Sequence, residues 1–192
     1  MLLASARTSI ALAGAAAERR LEIHGLLARW ALVRKQLAAL ERRITALVEQ
    51  CPEAKILTTV PEVSAVCAAT IVAELGTPQD YAHYRQVLKL AGMNLASRSS
   101  GQSVGRKWQS KRGRPMLRRQ LFLLAGRWCL KRGLYHEDYV ALKARNGGAG
   151  TKAVCTLARK LVPLLLKVMQ SGEPFDRERW SANRRVREPV VS

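Results

Sequence analysis

Residues 18–50 read ERRLEIHGLLARWALVRKQLAALERRITALVEQ, and their periodicity decides the fold class. The stretch holds no proline and a single glycine, Gly25. Apolar side chains fall at Ile23, Leu26, Trp30, Val33, Leu37, Leu40, Ile44 and Leu47, with spacings that alternate three and four. Such a repeat keeps one apolar seam along a helix. Ile23, Trp30, Leu37 and Ile44 share one seam position, and Leu26, Val33, Leu40 and Leu47 share the other. Between them lie Arg29, Arg34, Lys35, Glu41, Arg42 and Arg43, which face solvent on this reading. The pattern predicts one long helix that ends at Cys51-Pro52, because a residue before proline avoids the helical region. The seam has two possible uses: a coiled coil, or packing on the chain's own domain.

Helical signals continue downstream. Residues 55–76, KILTTVPEVSAVCAATIVAELG, predict a short helical turn over 55–59 and a helix over 64–75. Ser64 is a natural N-cap and Gly76 a natural stop. Two helices about Val60-Pro61-Glu62-Val63 resemble a helix-hairpin-helix, whose free amides hold a DNA phosphate. That device uses glycine in the turn. Glu62 and Val63 stand there instead, so a weak phosphate contact and a simple packed corner are both open. A further helix is expected from Tyr81 to Leu90, stopping at Gly92. Residues 93–110, MNLASRSSGQSVGRKWQS, read as a loop because they are rich in Ser, Gly and Asn. Pro115 then suits a first helical turn, with Met116, Leu117, Leu121, Leu124 and Trp128 as a buried stripe. His136–Arg145 reads as a short helix with Tyr139 and Leu142 inward, and a long helix is expected from Thr151 to Gln170. The last eighteen residues, from Phe175, carry five arginines and little apolar pattern. The expected architecture is therefore all-α. A long amphipathic or coiled-coil helix (1–51) precedes a compact helical domain (55–173) with a helix-hairpin-helix-like segment, and a basic tail (174–192) follows.

Charge narrows the function. Lys and Arg number 33 against 14 Asp and Glu, a formal net charge of +19. From Tyr81 to His136 there is no acidic residue, while thirteen are Lys or Arg. An ordinary solvated face mixes signs. An acid-free basic block points to phosphate neutralisation, and hence to nucleic acid. The candidate contacts are Arg98, Arg106, Lys107, Lys111, Arg112, Arg114, Arg118 and Arg119. The bland alternative is a generic basic surface. Aromatics are only 5%, which weighs against bases stacked along a row of exposed rings.

Other classes fall away. Cys51, Cys67, Cys129 and Cys155 lack zinc-ligand spacing and read as reduced, mostly buried residues of a cytoplasmic protein. No apolar run is long enough for a bilayer, so no membrane partner is expected. Residues 1–17 are Ala-rich but interrupted by Arg7, Thr8 and Ser9, unlike a signal peptide.

The loop carries hydroxyls at Ser97, Ser99, Ser100 and Ser103, with guanidinium groups nearby in sequence. A serine hydroxyl needs a base or a metal to become a nucleophile. Flanking arginines can stabilise charge on a phosphoryl group. Turn-forming serines that bond the local backbone explain these residues equally well on their own.

Two longer stretches carry more. LKLAGMNLASRSSGQSVGRKWQSKRGRPMLRRQLFLLAGRW and the later NGGAGTKAVCTLARKLVPLLLKVMQSGEPFD resemble the C-terminal domain of insertion-sequence transposases related to the Piv DNA invertase. The resemblance covers about residues 55–176. Its pieces are a helical hairpin ending in AELG, an AG-x-SG loop, a KRG-x-x-x-LR helix and an ARKL helix. Many members of that family are guided by a structured bridge RNA. The resemblance implies that Ser100 is a nucleophile joined covalently to DNA, with the adjacent Ser99 as the alternative. It also implies that Arg98, Arg106, Lys111 and Arg112 lie near DNA or the scissile phosphate.

In the family, Mg²⁺ is held by acidic residues of an N-terminal RuvC-like domain, and a coiled-coil segment follows it. Here the acidic residues before position 50 are Glu18, Glu22, Glu41 and Glu49, all in the long helix. The RuvC-like part is thus expected to be missing. No cofactor or metal site is expected in this chain, and it should be inactive alone. The expected partners are DNA, a structured guide RNA and further copies of the chain through the N-terminal helix. The alternative function is a non-catalytic basic coiled-coil protein that binds nucleic acid.

Overall fold

A computed structural model of the chain describes residues 16–97, 107–130 and 133–185. Two compact units are present, residues 1–43 and 44–192. Among the described residues there are eight α-helices and two short strands, an all-α fold with a long N-terminal helix as the sequence predicts.

Helix α1 (Ala16–Gln50) provides the described part of the first unit. Its seam residues there are uncovered: Ile23, Leu26, Trp30, Val33, Leu37 and Leu40 are each more than half exposed. Arg34 lies one turn beyond Trp30, with its guanidinium carbon 4.6 Å from the ring centroid. The last turns of α1 belong to the second unit, where Val48 enters the core.

Helix α2 (Pro52–Leu57) follows at once, starting on Pro52 and ending earlier than the expected turn at 55–59. Helix α3 (Ala65–Leu75) matches its predicted span. Ser64 Oγ caps it by accepting from the Cys67 amide, and Gly76 closes it with a φ of 73°. The turn between α2 and α3 places Glu62 at a φ of 64°. A glutamate thus adopts the left-handed geometry that the glycine of a helix-hairpin-helix would supply. Helix α4 (Tyr84–Leu90) starts later than Tyr81. Pro78–Asp80 form a short 3₁₀ turn first, and His83 and Gln86 then build a capping box at the true start.

The segment 93–110, expected as a loop, contains two strands. β1 (Leu95–Ser97) and β2 (Lys107–Gln109) pair antiparallel, with Ala96 opposite Trp108 and Ser97 opposite Lys107. Three residues of strand on each side leave little periodicity to read, and their pairing is decided at a distance. Helix α5 (Pro115–Trp128) buries Leu117, Leu121, Leu124, Ala125 and Trp128. Met116, expected in that stripe, is 44% exposed. It falls one residue off the four-three-four spacing that faces the core.

Helix α6 (His136–Arg145) has no fully buried residue, and Tyr139 and Leu142 reach the core only in part. Helix α7 (Gly150–Ser171) is the spine. Its Leu157, Leu161, Val162 and Leu165 are essentially inaccessible, and it packs against α2, α4, α5 and α6. The basic tail contains a helix: α8 (Arg177–Arg185) begins where Asp176 Oδ1 accepts from the Glu178 and Arg179 amides. Phe175 and Trp180 pack on the core, and Trp180 stands edge-on to Tyr135. Two rings spaced five apart gave no apolar period, yet they suffice to dock this segment. No described helix is long and apolar enough to cross a membrane.

Candidate nucleic-acid interface

The described side chains of the basic block from Lys111 to Arg127 divide into two parts by what they touch. One part is spent on backbone carbonyls. Arg114 Nη1 donates to the Glu74 carbonyl at 2.7 Å, near the end of α3, with the Glu74 carboxylate 3.8 Å away. Arg118 Nη1 donates to the Ala91 carbonyl at 2.9 Å and the Lys111 carbonyl at 3.2 Å. Arg127 Nη1 donates to the Glu62 carbonyl at 3.1 Å, beside the Trp128 Nε1–H that donates to the Pro61 carbonyl at 2.8 Å. Apart from that of Lys111, these carbonyls close helices or the α2–α3 turn, and a helix end leaves acceptors unsatisfied and carries partial negative charge. Sequence reading missed this use because the partners lie up to 65 residues away.

The other part is free of such work. Lys111, Arg112 and Arg119 are exposed, and among the described residues none has a carboxylate within ion-pair distance. Lys111 takes a φ of 54°, which turns the chain between β2 and α5.

Backbone bonds zip this segment together. The Ser110 amide donates to the Asn94 carbonyl at 3.0 Å, Lys111 to Gly92 at 2.9 Å, and Arg114 to Leu90 at 2.7 Å. Ser110 Oγ adds a 2.6 Å bond to Asn94 Oδ1. The ribbon therefore runs from Leu90 and Arg114 out to Ser97 and Lys107. Residues 98–106, which it brackets, include Arg98, Ser99, Ser100 and Arg106. Those four lie outside the described residues. Lys107 is placed by the backbone of β2.

At the root of the ribbon lies a cleft of about 360 Å³, lined by Met93, Gln109, Lys111, Pro115, Arg118, Arg119, Phe122 and Cys155. Lys111 and Arg119 make it electropositive. Burial raises the Cys155 thiol above its usual range, while the Lys111 charge pulls it part of the way back. The sequence singled out the cations but not Phe122, Gln109 or Met93. Among the described residues no group of three or more His, Cys, Asp or Glu could hold a metal ion.

This helical domain, with its zipped basic ribbon and electropositive cleft, is similar to part of a known family. Residues 54–140 match the model of the family described as "Transposase IS116/IS110/IS902 family". The chain is also similar to the "Insertion element IS110 uncharacterized 43.6 kDa protein" of Streptomyces coelicolor, at 27% identity over 144 residues. That alignment covers 75% of this chain and 35% of the relative, so the chain spans about a third of the curated protein it matches. The chain is thus similar to proteins of insertion elements over part of their length.

Proposed function

We propose that this chain is the nucleic-acid-binding and nucleophile-bearing part of an insertion-sequence transposase. The supporting observation is the ribbon. Its cross-strand bonds hold Ser97 and Lys107, which flank in sequence the segment carrying Ser99 and Ser100, and among the described residues no carboxylate pairs with Lys111, Arg112 or Arg119. In this reading Ser100 attacks a DNA phosphodiester. An Oγ–P bond forms, one P–O bond to a sugar breaks, and the serine proton passes to an outside base. Ser99 is the alternative nucleophile. A RuvC-like domain, in the same polypeptide or another, would bring Mg²⁺. DNA is the substrate, a structured guide RNA a further partner, and α1 a contact to a second copy.

The test supplies a RuvC-like domain and nicked or duplex DNA, then looks for a covalent protein–DNA adduct under denaturing conditions. The adduct should vanish with Ser100→Ala and persist with Ser99→Ala, while DNA binding stays intact in both. An adduct that survives both changes would overturn the serine assignment. A second reading, a non-catalytic basic module, is favoured by the uncovered seam of α1 and is supported if binding occurs but no adduct ever forms.

A further inference from the structure

We infer that the cleft at the root of the ribbon takes one unpaired nucleotide, with its base against Phe122 and its phosphate on Lys111 and Arg119. This rests on the nucleic-acid reading above and names a subsite within it. Three observations converge. The cleft's volume, about 360 Å³, lies at the small end of ligand sites, which suits a single nucleotide and excludes a duplex. Its walls are two-natured. Met93, Pro115 and the Phe122 ring, 36% exposed, give an apolar surface, whereas Lys111 and Arg119 give charge that no carboxylate pairs with among the described residues.

The third observation concerns how these groups are held. Pro115, Arg119 and Phe122 recur at helical spacing along one face of α5. Gln109 closes the cleft from β2, with an amide that can donate to or accept from a base edge. Arg118 also lines the cleft, but its Nη1 is committed to the Ala91 and Lys111 carbonyls, so it braces the wall. An apolar face for a flat ring beside two cations is the pairing that single-stranded nucleic acid recognition uses. A bare anion site would not need the ring. A hydrophobic ligand site would not need the cations. The low aromatic content argues against a row of stacked bases and leaves room for one.

The experiment measures binding of the whole chain to a fluorescent thymidine oligonucleotide, the matching uridine oligonucleotide and a DNA duplex. Phe122→Leu should weaken single-strand binding about fivefold or more, the lower bound for a lost base–ring stack, and leave duplex binding unchanged. Phe122→Tyr should restore it. Arg119→Gln should weaken single-strand binding and flatten its salt dependence. A thermal melt of each variant checks the fold. In parallel, alkylation of Cys155, read by peptide mass, should slow when the oligonucleotide is present, while that of Cys51, outside the cleft, should not. Loss in both the thymidine and uridine arms supports the site for either nucleic acid, and loss in one arm assigns it to DNA or RNA. If the chain binds the oligonucleotides but neither Phe122→Leu nor Cys155 protection shows an effect, the cleft is overturned and the nucleic-acid reading survives. If the chain binds no nucleic acid at low salt, both fall.

Discussion

Gly92 and Gly113 lie backbone against backbone at the root of the ribbon. A Cβ on Gly92 would stand 2.8 Å from the Arg112 carbonyl oxygen, and one on Gly113 would stand 2.5 Å from the Gly92 nitrogen and overlap the Leu90 carbonyl. Gly92 also takes a φ of 65°. The glycines of the AG and KRG motifs are therefore two halves of one close approach, which lets Lys111 and Arg114 reach across to Gly92 and Leu90. Gly113→Ala and Gly92→Ala should each cost roughly 2 kcal/mol or more, since the obstacle is backbone and cannot swing away. Gly126→Ala gives the contrast. It sits inside α5 with nothing within 4 Å of the new methyl. It should stabilise by about 0.5–1 kcal/mol. Urea titrations of the three variants measure this. Equal effects at all three positions would falsify the close-approach account.

The division of the basic block makes a second expectation. Arg118→Gln removes a donor from the carbonyl of fully buried Ala91, which should cost on the order of 1–2 kcal/mol. Arg114→Gln and Arg127→Gln should cost less, because both side chains are exposed. Lys111→Gln, Arg112→Gln and Arg119→Gln should leave stability within about 0.5 kcal/mol. In DNA binding the order inverts. Each of these last three should reduce the log–log salt slope by about 0.7 on a single strand or about 0.9 on a duplex, the values for one released phosphate contact. Salt-series titrations paired with melts separate the two sets. A slope loss that follows the stability loss, residue by residue, contradicts the division.

Burial and the nearby Asp138 carboxylate push the Cys129 thiol up to about 11, and burial also raises Cys67. Both favour the protonated thiol in the folded state. Unfolded thiols release their protons near pH 8.5–9, so above that range the unfolded chain binds fewer protons than the folded one. The stability they contribute is full below about pH 8.5 and is lost as pH rises toward about 11. Unfolding midpoints should therefore fall between pH 8 and pH 10.5, and Cys129→Ala should shrink that fall while lowering stability at pH 7. A midpoint that is flat across the range contradicts the raised thiol.

What the sequence made legible were features set by near neighbours. The long helix, the Ser64 cap and the Gly76 stop each depend on residues within one or two turns. The glutamate at 62 was visible as a departure from the glycine turn, but not its left-handed geometry, which the Arg127 and Trp128 bonds to the turn carbonyls hold in place. The two strands were missed because three residues carry no usable period and their partners are ten to fourteen positions apart. The cleft was missed for a related reason. Met93, Gln109, Phe122 and Cys155 come from four separate segments that α5 and α7 bring together. The cations were found by counting, yet counting gives charge and not partner, so Arg118 and Lys111 looked alike.

The seam of α1 sets the last expectation. Val33 is 59% exposed and Leu40 54%, far above what an apolar helix stripe shows when covered. They share one heptad position with Leu26, and Trp30 and Leu37 share the other. A second copy offers an identical seam, which is what a two-fold helix pair requires. The chain should therefore self-associate at micromolar concentration in sedimentation equilibrium. Val33→Glu together with Leu40→Glu should shift it to monomer, because two charges in each seam would be buried without partners. The core of residues 44–192 contains neither residue, so its melting temperature should stay where it was. A wild-type chain that remains monomeric at high concentration would assign the seam to another partner. A double variant that associates as before would place the contact elsewhere on the protein.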